Sequence, residues 1–324
     1  MILVTGAYGF IGRYLIEMLL TQGFDVIASG KHIPGKQARR LFDKYNGHFE
    51  AREFNVTRAN FKSLPDKGIS AVVHCAALLR IDVQKYTAFD YFNVNSTGTY
   101  NILEYCRKTK VEKIVYIMTH SDINDADSEI IKEDTPRQFK TPYYGDKNYL
   151  PFIISKVAGA DLVTKFDQDE MVRGIILRLS NIRGYGSKDS KFNCVFHNFI
   201  KKAINGEPIE IWGDHTTRRD LIYVKDVCHA IISAIKTPEA RFTYNIGTGV
   251  GLTIEDEAKA IIEAFSSDQK KSDIIYKPDI TEVRTKSCVF DITKAREELA
   301  WSPKYTYLEA MKDFKQCMDN NSYE

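Results

Sequence analysis

The stretch Val4 to Gly12, VTGAYGFIG, carries three glycines at Gly6, Gly9 and Gly12. It follows the apolar run Ile2 to Val4 and precedes apolar residues at helical spacing, Ile11, Leu15, Ile16, Leu19 and Leu20. The pattern predicts a strand, a tight turn and a helix. Glycine at position 6 permits the turn, glycine at 9 lets backbone approach a pyrophosphate, and glycine at 12 lets the helix pack closely on the strand. The N–H groups and positive dipole end of the helix then face the phosphates. A second apolar run, Phe24 to Ala28, supplies the next strand of a βαβ unit.

Outward from this unit, strand-like runs at Asp25–Ser29, Ala71–Ala76, Lys113–Met118 and Arg173–Leu179 alternate with helical patterns. Such alternation predicts an α/β fold with a doubly wound parallel sheet. Beyond about Gly184 the units shorten (GEPIEIWGD, RDLIYVKDV, FTYNIGTG, TIEDEAKAIIEAF), which predicts a smaller C-terminal lobe. Residues 1–180 are expected to form the dinucleotide-binding domain, with some later segments returning to it, and 181–324 mainly the substrate lobe.

The 324 residues suffice for one large α/β unit or a large and a small lobe, and their apolar (44%) and charged (27%) contents are those of a globular protein. A net charge of +2 gives no electrostatic case for nucleic acid. The cationic stretch Cys106 to Lys113 reads as a helix end, where cations suit the dipole. The six cysteines are scattered without metal-ligand spacing and read as reduced. No run has the length of a membrane span, and a strand beginning at Ile2 leaves no space for a leader, so a cytoplasmic, metal-free protein is expected.

Many segments together resemble the extended short-chain dehydrogenase/reductase family, of NAD-dependent epimerase/dehydratase type and acting on nucleotide sugars. They include TGAYGFIG, VVHCAAL, NVNSTGTYNILEYC, KEDTP, SKVAGADLV, LRLSNIRGYG, GEPIEIWGDHTTRRDLIYVKDVCHAI, YNIGTGVGLTIEDEA and DITKAREELAWSPKYTYLEAM. The resemblance implies a Rossmann-type fold. It assigns the dinucleotide turn to Gly6, Gly9, Phe10, Ile11 and Gly12, and the strand end beside the cofactor ribose to Cys75, Ala76 and Ala77. Asn95 becomes the asparagine that pins the sheet near the nicotinamide. Asn181 becomes a substrate contact, and Arg219 and Arg284 hold a sugar nucleotide's diphosphate, a task suited to a permanently charged, bidentate guanidinium. Relatives commonly dimerise through helices that match Thr97 to Lys108 and Pro151 to Phe166, so a homodimer is expected. Trp212 and Trp301 read as core residues, Asp226 as a helix N-cap, and His229 as a packed histidine.

Two departures from the family pattern bear on function. Where NAD-preferring relatives place an acidic residue on the adenosine ribose, this chain has Gly30 followed by Lys31, with His32, Arg39 and Arg40 nearby. No carboxylate there repels a 2′-phosphate, so NADP is favoured over NAD. Asn55, beside Val56, stands where relatives often have an aspartate near the adenine.

The second departure lies in the Tyr-x-x-x-Lys pair, whose tyrosine exchanges a proton with the sugar while hydride moves. One alignment gives Tyr143 and Lys147; the other gives Lys156 with Phe152 in the tyrosine's place. Pro151 would break a helix begun at Tyr143 but suits a helix opening, which favours Lys156. Tyr143, Tyr144 and Tyr149 then belong to an inserted loop that reaches toward the site. The family's serine or threonine position falls on His120, flanked by Thr119 and Ser121, and a histidine of near-neutral pKa would serve as acid or base. Two functions follow: an NAD(P)-dependent nucleotide-sugar oxidoreductase, epimerase or dehydratase with non-standard acid/base residues, or an eroded dinucleotide-binding pseudoenzyme serving as sensor or assembly partner.

Overall fold

The computed structural model describes the chain except residues 34–44, 46, 80–84, 139–148, 187–194, 268, 281–285, 321 and 323–324. Among the described residues, seven strands form one sheet: β1 (Ile2–Thr5), β2 (Val26–Gly30), β3 (Phe49–Glu53), β4 (Ala71–His74), β5 (Lys113–Thr119), β7 (Arg173–Leu179) and β11 (Phe242–Ile246). Their order is β11-β7-β5-β4-β1-β2-β3 and every pairing is parallel. The chain winds outward from β1 through β2 to β3, then crosses back to β4 on the other side of β1. That reversal opens a crevice at the carboxyl ends of β1 and β4, the place where open α/β sheets bind ligands.

Side-chain alternation builds a core on each face of this sheet. Ile2 and Val4 pack with Tyr14, Leu15 and Ile16 of α1 (Phe10–Thr21), whereas Leu3, Ile27 and Val72 pack on the opposite face with Ile102 and Leu103. These last belong to a helical run made of α2 (Ala88–Phe92), a π turn at Asn93–Thr97 and α3 (Gly98–Thr109). Arg107 and Lys108 occupy its last turn, as the cationic stretch predicts. The long helix α4 (Tyr149–Gln168) has Pro151 in its first turn and leads into β7.

The remaining strands form small sheets: β12 (Gly251–Leu252), β10 (Arg219–Tyr223) and β8 (Asn181–Arg183); β13 (Ile274–Lys277) with β9 (Ile209–Trp212); and β14 (Val289–Phe290) with β6 (Ile130–Ile131). Around them lie α5 (Val195–Asn205), α6 (Val224–Lys236), α7 (Ile254–Phe265), α8 (Thr293–Leu299) and α9 (Tyr307–Asp319). No helix among the described residues is long and apolar enough to cross a membrane.

Three side chains depart from expectation or fulfil it in an instructive way. Asp226 is no N-cap: α6 starts at Val224, and the buried Asp226 carboxylate accepts from the backbone N–H groups of Lys304 (2.8 Å) and Tyr305 (3.2 Å). Trp212 is not core: it ends a short edge ribbon at 43% exposure and donates its indole N–H to Glu210. Trp301 is buried at 3% exposure, its indole N–H on the Asp226 carbonyl.

Candidate functional site

The turn after β1 is shaped by close backbone approach. Gly6 has φ of +65°, a region costly for any side chain, and a Cβ there would lie 2.6 Å from the Ala76 nitrogen just beyond β4. A Cβ on Gly12 would lie 2.5 Å from the Gly6 carbonyl oxygen. Gly9, by contrast, is exposed at the N-cap of α1, with no side-chain hydrogen bond capping the helix, and its missing Cβ faces only the Gly6 oxygen, at 3.1 Å. A phosphate can therefore approach the α1 N-terminus over Gly9, and the residues present fit a dinucleotide. Phe10 supports the turn from the second lobe's side, since a Cβ on Gly184 would meet its ring at 2.9 Å, and Tyr14 donates to the Tyr185 carbonyl (2.7 Å). Ile11 packs against the same core.

At the carboxyl end of β2, Gly30 closes the strand with the Tyr8 ring 2.9 Å from where its Cβ would be, and Lys31 and His32 are exposed. Asn55 folds its own turn, its side-chain oxygen accepting from the Thr57 N–H (3.1 Å) and hydroxyl (3.0 Å). Val56 is buried, and its carbonyl accepts from Asn101 (2.8 Å), a residue the sequence did not single out.

Cys75, Ala76 and Ala77 follow β4 and are half-buried. Beneath them a hydrogen-bonded layer ties the sheet to α3 and α4. Asn95, in the π turn, accepts from the Leu78 N–H (2.7 Å) and donates to the Leu78 carbonyl (3.1 Å) and to Ser155 of α4 (3.0 Å). His74 is held between the hydroxyls of Thr5 (2.7 Å) and Thr99 (3.1 Å), and burial pushes it down to about 3, so it is a neutral structural ring.

Lys156 directly follows Ser155, the residue of α4 that Asn95 contacts. Its ammonium donates to the Ile117 carbonyl of β5 (2.7 Å) and lies 4.1 Å from the centre of the Tyr116 ring. Burial pushes its pKa down to about 7, with the Cys75 thiol nearby as an opposing influence. Phe152, one turn earlier on the same helix face, packs with Tyr91, Tyr149 and Ile153 and has no hydroxyl to offer. Tyr149 opens the helix, buried, with Asn124 donating to its hydroxyl (2.8 Å). Tyr143 and Lys147 of the competing alignment lie outside the described residues, as do Tyr144, Arg39, Arg40 and Arg284.

At the carboxyl end of β5, Thr119 caps a short 3₁₀ turn, its oxygen accepting from the Ser121 N–H (3.2 Å), with the two hydroxyls 3.0 Å apart. His120 between them is not near neutrality. Burial chiefly, and then the arginines of β10 and β8, Arg219 and Arg183, push it down to about 4. Its Nδ1 donates to the Leu179 carbonyl (3.2 Å), which leaves Nε2 as the basic nitrogen.

The second lobe brings further groups to this edge. Asn181 and Arg183 alternate on β8 and so share a face. Arg183 is gripped by Glu257 (2.8 Å), which also accepts from Tyr307 (2.9 Å), and its guanidinium stacks 4.8 Å from the Phe196 ring. Arg219 opens β10 beside Asp220, whose carboxylate is 1% exposed. Asp220 accepts from the hydroxyls of Ser180 and Thr248 and from the N–H groups of Thr248, Gly249 and Phe290, at 2.7 to 3.2 Å. It binds β7, β10, β14 and the turn after β11 into one unit. Its only signal in sequence is a carboxylate inside the apolar strand RDLIY; Arg183 signalled itself by standing two residues after Asn181.

The chain is similar to known proteins over nearly its whole length. A profile of the NAD dependent epimerase/dehydratase family matches residues 2–247. The UDP-glucuronate 4-epimerase of Thermodesulfobacterium geofontis is 28% identical, covering 96% of this chain and 93% of that protein. The human dTDP-D-glucose 4,6-dehydratase is 25% identical over 96% of this chain and 87% of its own. In fold, the chain is similar to the UDP-glucose 4-epimerase of Thermotoga maritima, solved with UDP-glucose (TM-score 0.80, 24% identity, 99% of both chains). It is also similar to the UDP-N-acetylglucosamine 4-epimerase of Methanobrevibacter ruminantium (TM-score 0.82, 20% identity, 99% and 98% of the chains). A family match over most of the chain, with the seven-stranded parallel sheet and glycine turn it requires, leads to one conclusion: the chain belongs to the NAD dependent epimerase/dehydratase family, whose members are enzymes acting on nucleotide sugars.

Proposed function

We infer that this protein oxidises or reduces a ring carbon of a nucleotide-activated sugar, as epimerase, dehydratase or reductase, using acid/base residues other than the family tyrosine. The reading is supported by the exposed Gly9 turn at the α1 N-terminus, by the buried Lys156 ammonium held on the Ile117 carbonyl, and by His120 at the carboxyl end of β5, where Arg219 is among the charges that depress its pKa. A nicotinamide bound there supplies the hydride acceptor. Gly6, Gly9 and Gly12, with Phe10 and Ile11, hold its pyrophosphate; Cys75, Ala76, Ala77, Asn55, Val56 and Asn95 line it; and Lys156 places positive charge beside it. His120 exchanges the proton of the sugar hydroxyl through Nε2, with the Thr119 and Ser121 hydroxyls orienting that oxygen. Asn181, Arg219 and Arg284 hold the sugar nucleotide against the lobe built from residue 181 onward.

NADP is the favoured cofactor, supported by the absence of a carboxylate at Gly30 and the exposure of Lys31. A homodimer through α3 and α4 is supported by the apolar surface they leave in water, with Tyr100 44% and Ile154 37% exposed. Calorimetry tests the substrate assignment: Arg219→Gln should weaken binding of a UDP-sugar about tenfold or more while leaving dinucleotide affinity nearly unchanged. Unchanged affinity for every nucleotide sugar that the native protein binds would refute it.

A further inference from the structure

Lys156 is buried, at 4% exposure, with no carboxylate among the described residues paired to it. A buried cation needs compensation, and here it comes from β5 alone: the Ile117 carbonyl accepts at 2.7 Å, and the centre of the Tyr116 ring lies 4.1 Å from the ammonium nitrogen. The titratable groups on the surrounding elements bring no counter-charge. Beyond β4 the Cys75 thiol is pushed up to about 12 by burial, and on β4 His74 is pushed down to about 3, so both are neutral. On the 3₁₀ turn His120 is uncharged, and Asp122 pairs with Arg178 (3.6 Å) and Arg137 (3.7 Å). On α4 itself Asp161 is held by Arg137 through both carboxylate oxygens (2.6 and 3.0 Å).

Tyr116 is fixed in this position by α4. It is wholly buried, and its hydroxyl donates to the Lys156 carbonyl at 3.0 Å, so ring and lysine form one closed unit. Gly159, one turn further along, leaves space for that hydroxyl, since a Cβ there would lie 2.5 Å from its oxygen. An aromatic face is negative and attracts a desolvated cation. A carboxylate in its place would also favour the ammonium but would cancel its field; a ring does not.

We propose that Tyr116 is a positioning residue for Lys156: its ring takes the place of a counter-ion and holds the ammonium at the crevice as an uncancelled positive charge. This rests on the function proposed above, which sets that charge beside the nicotinamide, and names the residue that keeps it there. Burial draws the lysine down to about 7, so near neutral pH a small loss of stabilisation would leave a neutral amine, and the ring acts against that loss.

NMR of the full chain carrying lysine labelled with ¹³C at the ε carbon tests the proposal, with Lys156→Met identifying the resonance. Tyr116→Phe, which keeps the ring, should leave the Lys156 midpoint near its native value, whereas Tyr116→Leu should lower it by at least about half a pH unit. Phenylalanine at position 116 with a progressively fluorinated ring keeps the shape while draining the face of charge, and decides the matter even where the leucine variant does not fold. The midpoint should fall stepwise with fluorination. A midpoint indifferent to fluorination, or one that falls as far in Tyr116→Phe as in Tyr116→Leu, overturns the role of the ring. Oxidised dinucleotide, which brings a second positive charge, should lower the midpoint further in the native protein. If it binds without moving Lys156 while the fluorinated series behaves as expected, the role of Tyr116 stands and the placing of the ammonium beside the nicotinamide falls.

Discussion

At the residue scale, the site is built by burying groups that would rather be wet. Lys156 shows the consequence most directly. An ordinary lysine keeps its proton to about pH 10.4, whereas folding pushes this one down to about 7. Between those values the unfolded chain binds more protons, so the stability contributed by this group rises with pH. Below about pH 7 both states are charged and the folded state bears the whole desolvation cost. Lys156→Met without dinucleotide should therefore exceed the native protein in denaturant midpoint most clearly at about pH 6, the gap narrowing toward about pH 10. An equal difference at both pH values would show that the ammonium is not desolvated in the fold. Asp220 behaves in the opposite sense: Asp220→Ala strands several buried donors and should cost more than about 3 kcal/mol in chemical denaturation, with a near-native midpoint contradicting its role as a hub.

At the element scale, what was legible depended on how strongly each segment was forced. The strands of the buried sheet centre, β1, β4, β5 and β7, read directly because they are apolar on both faces and flanked by helices. The start of α4 was legible because Pro151 tolerates only the first turn. The strand Phe49–Glu53 was not: FEARE carries alternating charge, and it lies at the sheet edge with one neighbour, where pairing rather than sequence creates it. The π turn around Asn95 was equally hidden, since no local signal marks one extra residue in a helix. Asp226 looked like a cap because it stands next to a helix start, yet its carboxylate serves the distant 304–305 backbone, which only the tertiary fold brings near. Trp212 looked like core by residue type and ended exposed on a two-stranded ribbon. The glycine turn tests the element argument: Gly12→Ala places a Cβ 2.5 Å from the Gly6 oxygen, backbone that cannot swing aside. Dinucleotide binding by fluorescence should fall by at least about tenfold, or 1.4 kcal/mol, and native affinity would mean that the turn does not carry the pyrophosphate.

At the scale of the whole molecule, the proposed function divides one reaction between two parts of the chain: dinucleotide at the sheet's switch point, sugar nucleotide against the small sheets that Asp220 ties together. The cofactor half predicts NADPH bound more tightly than NADH, with Lys31→Ala narrowing the difference; NADH tighter by about tenfold, 1.4 kcal/mol, would reverse that assignment. The measurement that reaches both halves at once is isotopic. The protein, supplied with oxidised dinucleotide, is given a panel of UDP- and dTDP-sugars deuterated at the oxidisable ring carbons, and both the nucleotide sugar and the dinucleotide are followed by mass spectrometry. Transfer of deuterium to the nicotinamide from at least one sugar, lost in His120→Gln and retained in Tyr143→Phe, is the expected result. A protein that binds dinucleotide and nucleotide sugar together yet leaves every deuterium in place would contradict ring-carbon redox chemistry at this site.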